Sequence, residues 1–144
     1  MMAPAGKPIR VLLVDDNALF LRMIRSLLVS YADIEVIGEA ADGEEALKHA
    51  VVLQPAIVLM DVHLRKTMDG IAATRLIIER CPDVVVLGLS WDTREYVVST
   101  MRQVGAFDVL PKDVAATPAI YEAIHRAVSA KRRSDEGEPG CGRR

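Results

Sequence analysis

The chain has 144 residues, which fits one domain with a real hydrophobic core. Hydrophobic residues make up 51% of it and charged residues 26%, a balance typical of a globular protein. The net charge of −2 excludes an overall basic field for nucleic acid or anionic lipid, and the aromatic content of 4% argues against a base-stacking surface.

Five short apolar runs alternate with helical patterns along the chain. The predicted strands are Ile9–Val14, Ile34–Ala40, Ile57–Met60, Val84–Leu89 and Phe107–Leu110. The predicted helices are Ala18–Tyr31, Asp42 to about Leu53, Asp69–Arg80, Thr93–Val104 and Pro118–Ala130. Strands that alternate with helices in this way predict an α/β fold, with a parallel sheet covered on both faces.

Local signals mark several helix ends. Asp42 with Glu45, and Asp92 with Glu95, have the spacing of a capping box, so each acid pair predicts a helix N-terminus. Gly105 follows the fourth predicted helix in the position of a C-terminal glycine.

The composition changes after Ala130. Residues 131–144 contain Gly, Pro and charge without apolar periodicity, which predicts a flexible tail. We expect residues 1–8 to be a flexible N-terminus and residues 9–130 to form the domain. The cations of 131–133 either complement the dipole of the last helix or contact a partner.

Neither cysteines nor apolar segments indicate export. Cys81 and Cys141 lack the spacing of a metal site or a disulfide, which fits a reducing compartment. No apolar stretch approaches the ~20 residues of a membrane span, and the N-terminus has no signal-peptide core. We therefore expect a cytoplasmic protein with no membrane partner.

Polar side chains stand at the carboxyl ends of four of the predicted strands. Asp15 and Asp16 follow the first strand, Asp61 the third, Ser90 the fourth, and Lys112 follows the fifth after one proline. The carboxyl ends of parallel strands share one sheet edge, where ligands bind in open α/β folds. Three clustered carboxylates predict a hard divalent cation such as Mg²⁺ or Mn²⁺, because like charges otherwise raise each other's pKa.

A carboxylate beside such a cation can attack a phosphoryl group. Asp61, on the central strand, is the best candidate for this nucleophile. Lys112 can supply positive charge to phosphoryl oxygens, and Ser90 can donate a hydrogen bond to one of them.

The sequence resembles the receiver domain of two-component response regulators, the CheY-like superfamily, over about Ile9–Ala130. The motifs that carry this resemblance are Val11-Leu-Leu-Val-Asp-Asp-Asn17, Ala41-Asp-Gly-Glu-Glu-Ala46, Leu59-Met-Asp61, Met68-Asp-Gly70, Leu89-Ser90 and Gly105-Ala-Phe-Asp-Val-Leu-Pro-Lys112. The resemblance implies a flavodoxin-like (βα)5 three-layer sandwich with a parallel five-stranded sheet of order 2-1-3-4-5.

The resemblance also implies a role for each site residue. Asp61 would accept a phosphoryl group from a histidine kinase or a histidine phosphotransfer protein. Asp16, Asp61 and the backbone carbonyl of His63 would bind Mg²⁺, and Asp15 would hold it through water. Lys112 would contact the phosphoryl group, and Ser90 would swing towards it.

The resemblance implies a switch rather than an enzyme, since only the chain's own Asp61 would be phosphorylated. Its output would be an altered protein-binding face, or a homodimer face, on the fourth helix, fifth strand and last helix. The Lys112-Asp113 pair resembles a branch whose members often carry a helix-turn-helix domain. Residues 131–144 are too few for one, so we expect no direct nucleic-acid binding and either a stand-alone receiver or one cut from a longer protein.

Several positions depart from the family pattern. Trp91 replaces a small residue, and our hypothesis is that it slows phosphorylation; alternatively its ring turns outward against the fourth helix. Val109 replaces the Tyr or Phe that usually changes rotamer on phosphorylation, although Phe107 lies on the same strand face. His63 and Asp92 border the phosphoryl group in the family and influence its lifetime, while Asp92 is also the expected cap of the fourth helix.

The loop after Asp61 is one residue longer than usual and lacks the usual proline. Its Arg65-Lys66 pair either attracts an anionic donor or is simply solvated, as in most surface loops.

Two alternatives stay open. Trp91 and Val109 are compatible with a phosphorylation-independent interaction module that keeps the fold without the switch. A more remote alternative is an aspartyl-phosphate hydrolase, but His63 stands where such enzymes place a second Asp. Nucleotide binding is disfavoured because no strand leads into a Gly-rich phosphate loop.

Overall fold

The computed structural model describes residues 6–66 and 68–136. Its five strands are β1 (Ile9–Val14), β2 (Ile34–Ala40), β3 (Ile57–Asp61), β4 (Val85–Ser90) and β5 (Asp108–Pro111). All neighbours pair in parallel and the sheet order is β2-β1-β3-β4-β5, which confirms the predicted fold.

Helices cover both faces of the sheet. They are α1 (Ala18–Leu28), α2 (Gly43–Leu53), α3 (Gly70–Arg80), α4 (Glu95–Gln103), α5 (Lys112–Ala115) and α6 (Ala119–Glu136). One apolar core joins α1 and α6 to the sheet, and a second joins α2, α3 and α4 to its other face. β1 is apolar and buried except for the half-buried Arg10, and β3 is apolar up to the buried Asp61 that ends it, as expected of strands that contribute to both cores.

The register of the sheet aligns the carboxyl ends of its central strands. Val14 pairs with Met60, Asp61 with Leu89, and Ser90 with Pro111. The residues that follow β1 and β5 therefore emerge beside the last residues of β3 and β4. This alignment brings the predicted polar residues to one edge.

The capping prediction for α2 is confirmed. The Asp42 carboxylate accepts a hydrogen bond from the Glu45 amide at 2.8 Å, and the Glu45 carboxylate accepts one from the Ala41 amide at 2.8 Å. After α4, Gly105 has a φ of +114°, a left-handed conformation that a side chain would strain.

The predicted cap of α4 is wrong. The helix begins at Glu95 rather than Thr93, and its N-cap residue Arg94 makes no side-chain cap. The Asp92 carboxylate instead accepts hydrogen bonds from the amide and the guanidinium of Arg94, at 2.8 to 3.1 Å. This local pairing delays the first helical turn.

The last helix is longer than predicted, because α6 continues past Ala130 to Glu136. Lys131 and Asp135 form an ion pair at 3.5 Å one turn apart, which favours continuation of the helix. The predicted start of the tail at Lys131 is therefore wrong. The tail of 137–144 and the N-terminal residues 1–5 lie outside the described residues.

Within the described part of the chain, no helix is both long and apolar enough to cross a lipid bilayer.

Candidate functional site

Among the described residues, five polar or charged side chains are buried, and four of them lie at the carboxyl edge of the sheet. They are Asp15, Asp61, Ser90 and Lys112, which are 0 to 5% exposed. All four were predicted as site residues from the sequence. Burying ionisable groups is costly unless they are paired, so their concentration at one edge indicates a site rather than a packing solution.

Lys112 holds the centre of this site. Its Nζ donates to Asp15 Oδ2 at 2.6 Å and lies 3.2 Å from Asp61 Oδ1. The ammonium also lies over the ring of Phe20, 4.8 Å from the ring centroid. Because Lys112 is the first residue of α5, directly after β5, its long side chain reaches back across the strand ends.

The three acids form a potential cation site. Oxygen atoms of Asp15, Asp16 and Asp61 lie within 4.8 Å of one another. The set contains only carboxylate oxygens, which suits Mg²⁺ or Mn²⁺ better than zinc. Asp16 is the most accessible of the three, with a side chain 20% exposed, and it faces the Nε of Arg65 at 3.7 Å.

The pKa of Asp61 is raised above its usual range. Burial of the carboxylate is the first cause, and the negative charge of Asp15 is the second. Lys112 and the amide of His63 oppose the shift without cancelling it. A cation among the three acids would remove this repulsion, so the electrostatics of the residues present fit a divalent cation.

Backbone geometry around Asp61 is tight. The amide of His63 donates to Asp61 Oδ1 at 3.1 Å, while the His63 residue is exposed. At Gly70, the first residue of α3, a Cβ atom would clash with the carbonyl oxygen of Asp61 and come within 2.8 Å of Val62. The glycine therefore lets α3 begin directly against the end of β3.

Ser90 is held by the loop that follows it. Its hydroxyl donates to the Asp92 carbonyl at 2.8 Å and accepts from the Asp92 amide at 2.9 Å. Any movement of this hydroxyl towards Asp61 must break these two hydrogen bonds. Ser90 thus lies at the carboxyl end of β4, with its hydroxyl turned to its own loop.

Trp91 is 69% exposed, and its ring meets Phe20 edge-on with a centroid distance of 6.2 Å. The side chain turns outward, as one of the two predicted alternatives has it, but the aromatic contact is with α1. Asp92 is partly exposed beside Arg94, whose hydrogen bonds lower the pKa of the Asp92 carboxyl to about 2. The carboxylate is therefore ionised and already paired.

Val109 is buried on the face of the sheet that packs against α4. Its Cγ2 atom lies near Gly88 of β4, where Met101 of α4 fills the space that a side chain would occupy. Phe107 lies two residues earlier and is 38% exposed.

Sequence reasoning missed three contributors to the site. Phe20 lies in the first predicted helix without a role in the predicted site, and neither Arg94 nor Gly70 is assigned one there. The glycine that directly follows Asp69, the predicted start of the third helix, could have indicated a close backbone approach at Gly70. No local pattern could have placed Phe20 under Lys112, because the two residues meet only through the tertiary fold.

Known proteins with similar sequences and structures are receiver domains or contain one. A family model described as the response regulator receiver domain matches residues 11–125. A protein-glutamate methylesterase/protein-glutamine glutaminase of Methanospirillum hungatei is 39% identical over 131 residues, covering 89% of this chain and 37% of the relative. This chain therefore spans little more than a third of that curated relative.

Solved structures give the same result. The response regulator domain of Thermotoga maritima CheB is similar with a TM-score of 0.78 and 28% identity, over 85% of this chain and 98% of that one. The CheX-CheY-BeF3-Mg²⁺ complex from Borrelia burgdorferi contains a chain with a TM-score of 0.68 and 26% identity, over 81% of this chain and 91% of that chain. The protein belongs to the response regulator receiver domain family.

Proposed function

We propose that this receiver domain is a phosphorylation switch in which Asp61 is the phosphoacceptor. The observation that carries the proposal is the burial of the Asp61 carboxylate between Asp15 and Lys112, at the end of the central strand β3. Asp33, an acid at the opposite end of the sheet, has no comparable surroundings. Several buried ionisable side chains in mutual contact, as found around Asp61, are characteristic of a reactive site.

In the proposed transfer, a carboxylate oxygen of Asp61 attacks the phosphorus of a phosphohistidine. An O–P bond forms, the N–P bond breaks, and the imidazole leaves with the bonding electron pair and takes up a proton. The donor is a histidine kinase or a histidine phosphotransfer protein. Lys112 is the group of this chain that contacts the phosphoryl oxygens, because its ammonium already lies 3.2 Å from Asp61.

Asp16, Asp61 and the backbone carbonyl of His63 would hold Mg²⁺ (or Mn²⁺), and Asp15 would contribute through water. When bound, the cation neutralises negative charge on the acids and on the phosphoryl group. Support for this assignment comes from the carboxylate cluster and from the Borrelia burgdorferi relative, which was solved with BeF3 and Mg²⁺.

The proposed output is a change of protein-binding surface. Phosphorylation adds negative charge that Ser90 can reach only by leaving its two hydrogen bonds to Asp92. The β4–α4 loop then moves, and the face formed by α4, β5 and α6 repacks for a partner or for a second copy of the chain. Because position 109 on β5 is a valine, this repacking does not involve a rotamer change of an aromatic side chain at that position.

The domain would act as a cytoplasmic, non-enzymatic module whose only chemistry is at its own Asp61. We also propose that this chain does not itself bind nucleic acid.

Intact-protein mass spectrometry tests the proposal. The protein is incubated with a small acyl phosphate or phosphoramidate, with and without Mg²⁺, beside Asp61→Asn and Asp33→Asn. We expect one phosphoryl adduct on the wild type and on Asp33→Asn, none on Asp61→Asn, and none when Mg²⁺ is chelated. Failure to label with either small donor or with a phosphorylated histidine phosphotransfer protein would favour the phosphorylation-independent module.

A further inference from the structure

Two kinds of side chain contact the ammonium of Lys112. The first kind is the carboxylates of Asp15 and Asp61, and the second is the ring of Phe20 at 4.8 Å from Nζ. Both carboxylates change their electrostatic state when a cation or a phosphoryl group arrives. The Phe20 ring does not, so it is the constant part of the environment that positions Lys112.

Phe20 is itself supported from outside by one exposed side chain. Phe20 is 5% exposed, and Trp91 meets its ring edge-on at 6.2 Å, within the range of favourable aromatic pairs. The indole, by contrast, is 69% exposed. Leaving so large an apolar group in water is unfavourable, and the only aromatic contact found for it among the described residues is with Phe20.

The backbone that carries Trp91 is also fixed. Trp91 lies between Ser90 and Asp92, which are joined by two hydrogen bonds through the Ser90 hydroxyl. The Asp92 carboxylate is in turn held by Arg94. The indole is therefore presented to Phe20 by an ordered turn, as a brace needs to be.

We propose that Trp91 is a positioning residue for Lys112, and that it acts by bracing the Phe20 ring beneath the ammonium. The inference concerns the reaction of the proposed function and rests on it. It reverses the hypothesis drawn from side-chain size alone, in which the indole obstructs the site. A brace and an obstruction predict opposite effects when the indole is removed.

Phosphorylation kinetics provide the first test, with the small donor at several concentrations in Mg²⁺. Trp91→Ala should lower the rate at saturating donor about threefold to tenfold, the size expected from weakening a cation–π contact. Trp91→Phe should recover most of the rate because it restores an aromatic edge. Val52→Ala, which removes an apolar side chain of α2 that is 79% exposed, should match the wild type.

Phe20 provides the coupling control. Phe20→Leu keeps an apolar side chain in the core but removes the ring, so it should lower the rate by itself. Adding Trp91→Ala to Phe20→Leu should then cause little further loss, because the brace has no ring to hold. A full additional loss in the double variant, or an unchanged or faster rate in Trp91→Ala, would overturn the proposal.

A measurement without phosphorylation decides the same point. A ring face over the lysine terminus shifts the Lys112 ε-methylene protons upfield in the NMR spectrum. We expect this shift to collapse in Trp91→Ala and Phe20→Leu and to persist in Val52→Ala. Persistence in Trp91→Ala would overturn the bracing role. If the wild type accepts no phosphoryl group, the proposed function fails, while the NMR result still decides whether Trp91 positions Lys112.

Discussion

Two charged clusters stand at opposite ends of the sheet and differ in burial. At the carboxyl end, Asp15, Asp61 and Lys112 have side chains 2 to 6% exposed. At the amino end, Asp33 accepts hydrogen bonds from Tyr121 at 2.7 Å and His125 at 2.9 Å, with side chains 26 and 39% exposed for Asp33 and His125.

The pKa shifts of the two acids have opposite directions. Burial and Asp15 raise the pKa of Asp61, whereas hydrogen bonds from Tyr121 and His125 lower the pKa of Asp33. The surroundings thus oppose ionisation of Asp61 and favour ionisation of Asp33. The amino-end cluster ties α6 to the turn before β2, and the carboxyl-end cluster lowers stability in return for reactivity.

Among variants that test this contrast between the two clusters, Lys112→Met should cause the largest change in the free energy of unfolding. Removing the ammonium leaves two buried carboxylates without their cation, a change that typically costs about 3 to 5 kcal/mol. We expect a large fall in the free energy of unfolding at pH 7, measured with urea, and partial recovery when Mg²⁺ is added. Lys131→Met, which breaks the exposed pair with Asp135, should cost at most about 0.5 kcal/mol. Equal losses in the two variants would contradict the contrast.

Gly70→Ala should cause the next largest loss, about 1 to 3 kcal/mol. The added methyl group meets the backbone of Asp61 and Val62, which cannot yield without moving β3 or α3. Thermal unfolding measures the loss. Gly38→Ala is the matched control, because the three nearest neighbours of its new Cβ are side-chain atoms of Leu53, Leu12 and His49, at 3.2 to 3.7 Å. A similar loss in both variants would show that the approach of α3 to Asp61 is not specially tight.

Asp61→Asn should stabilise the domain when no divalent cation is present. A raised pKa means that the folded state binds the proton more tightly, so stability falls as the pH rises above the usual value of 3.8. Asparagine removes the charge that carries this penalty at pH 7. We expect the Tm to rise by about 2 to 5 °C. A lower Tm for Asp61→Asn would show that the Lys112 attraction outweighs the burial of Asp61.

Asp33→Asn should give the smallest effect and the opposite sign. The pKa of Asp33 is lowered, so its contribution is present above the usual value of 3.8 and is lost as the pH falls through the folded value. We expect the Tm at pH 7 to fall by about 1 to 2 °C, less than for one full net hydrogen bond, because Asp33 and His125 are partly exposed. The difference from the wild type should shrink below about pH 4, and a difference constant with pH would rule out the charge as its origin.

The apolar runs predicted the parallel sheet and the meeting of the acids with Lys112 at one edge, because the runs locate the strand ends. The strand order was implied only by the resemblance to the receiver family. The sequence mispredicted the start of α4, since a capping-box pattern at Asp92 cannot reveal that Arg94 captures the same carboxylate. The sequence also predicted that α6 ends at Ala130, because the residues after it lack apolar periodicity. The ion pair between Lys131 and Asp135, which favours a longer helix, did not enter that prediction. The edge-on contact of Trp91 with Phe20 and the contact of the Phe20 ring with Lys112 join three segments that are distant in the sequence. No local sequence pattern predicts them.

The most direct test of the central claim is the position of the phosphoryl group. After phosphorylation in Mg²⁺, reduction with borohydride converts an aspartyl phosphate to homoserine, and peptide mapping locates it. Homoserine at position 61, and at neither position 15 nor position 16, is the predicted result. Homoserine at Asp15 or Asp16, with Asp61 unmodified, would contradict the assignment of the buried central carboxylate as the acceptor.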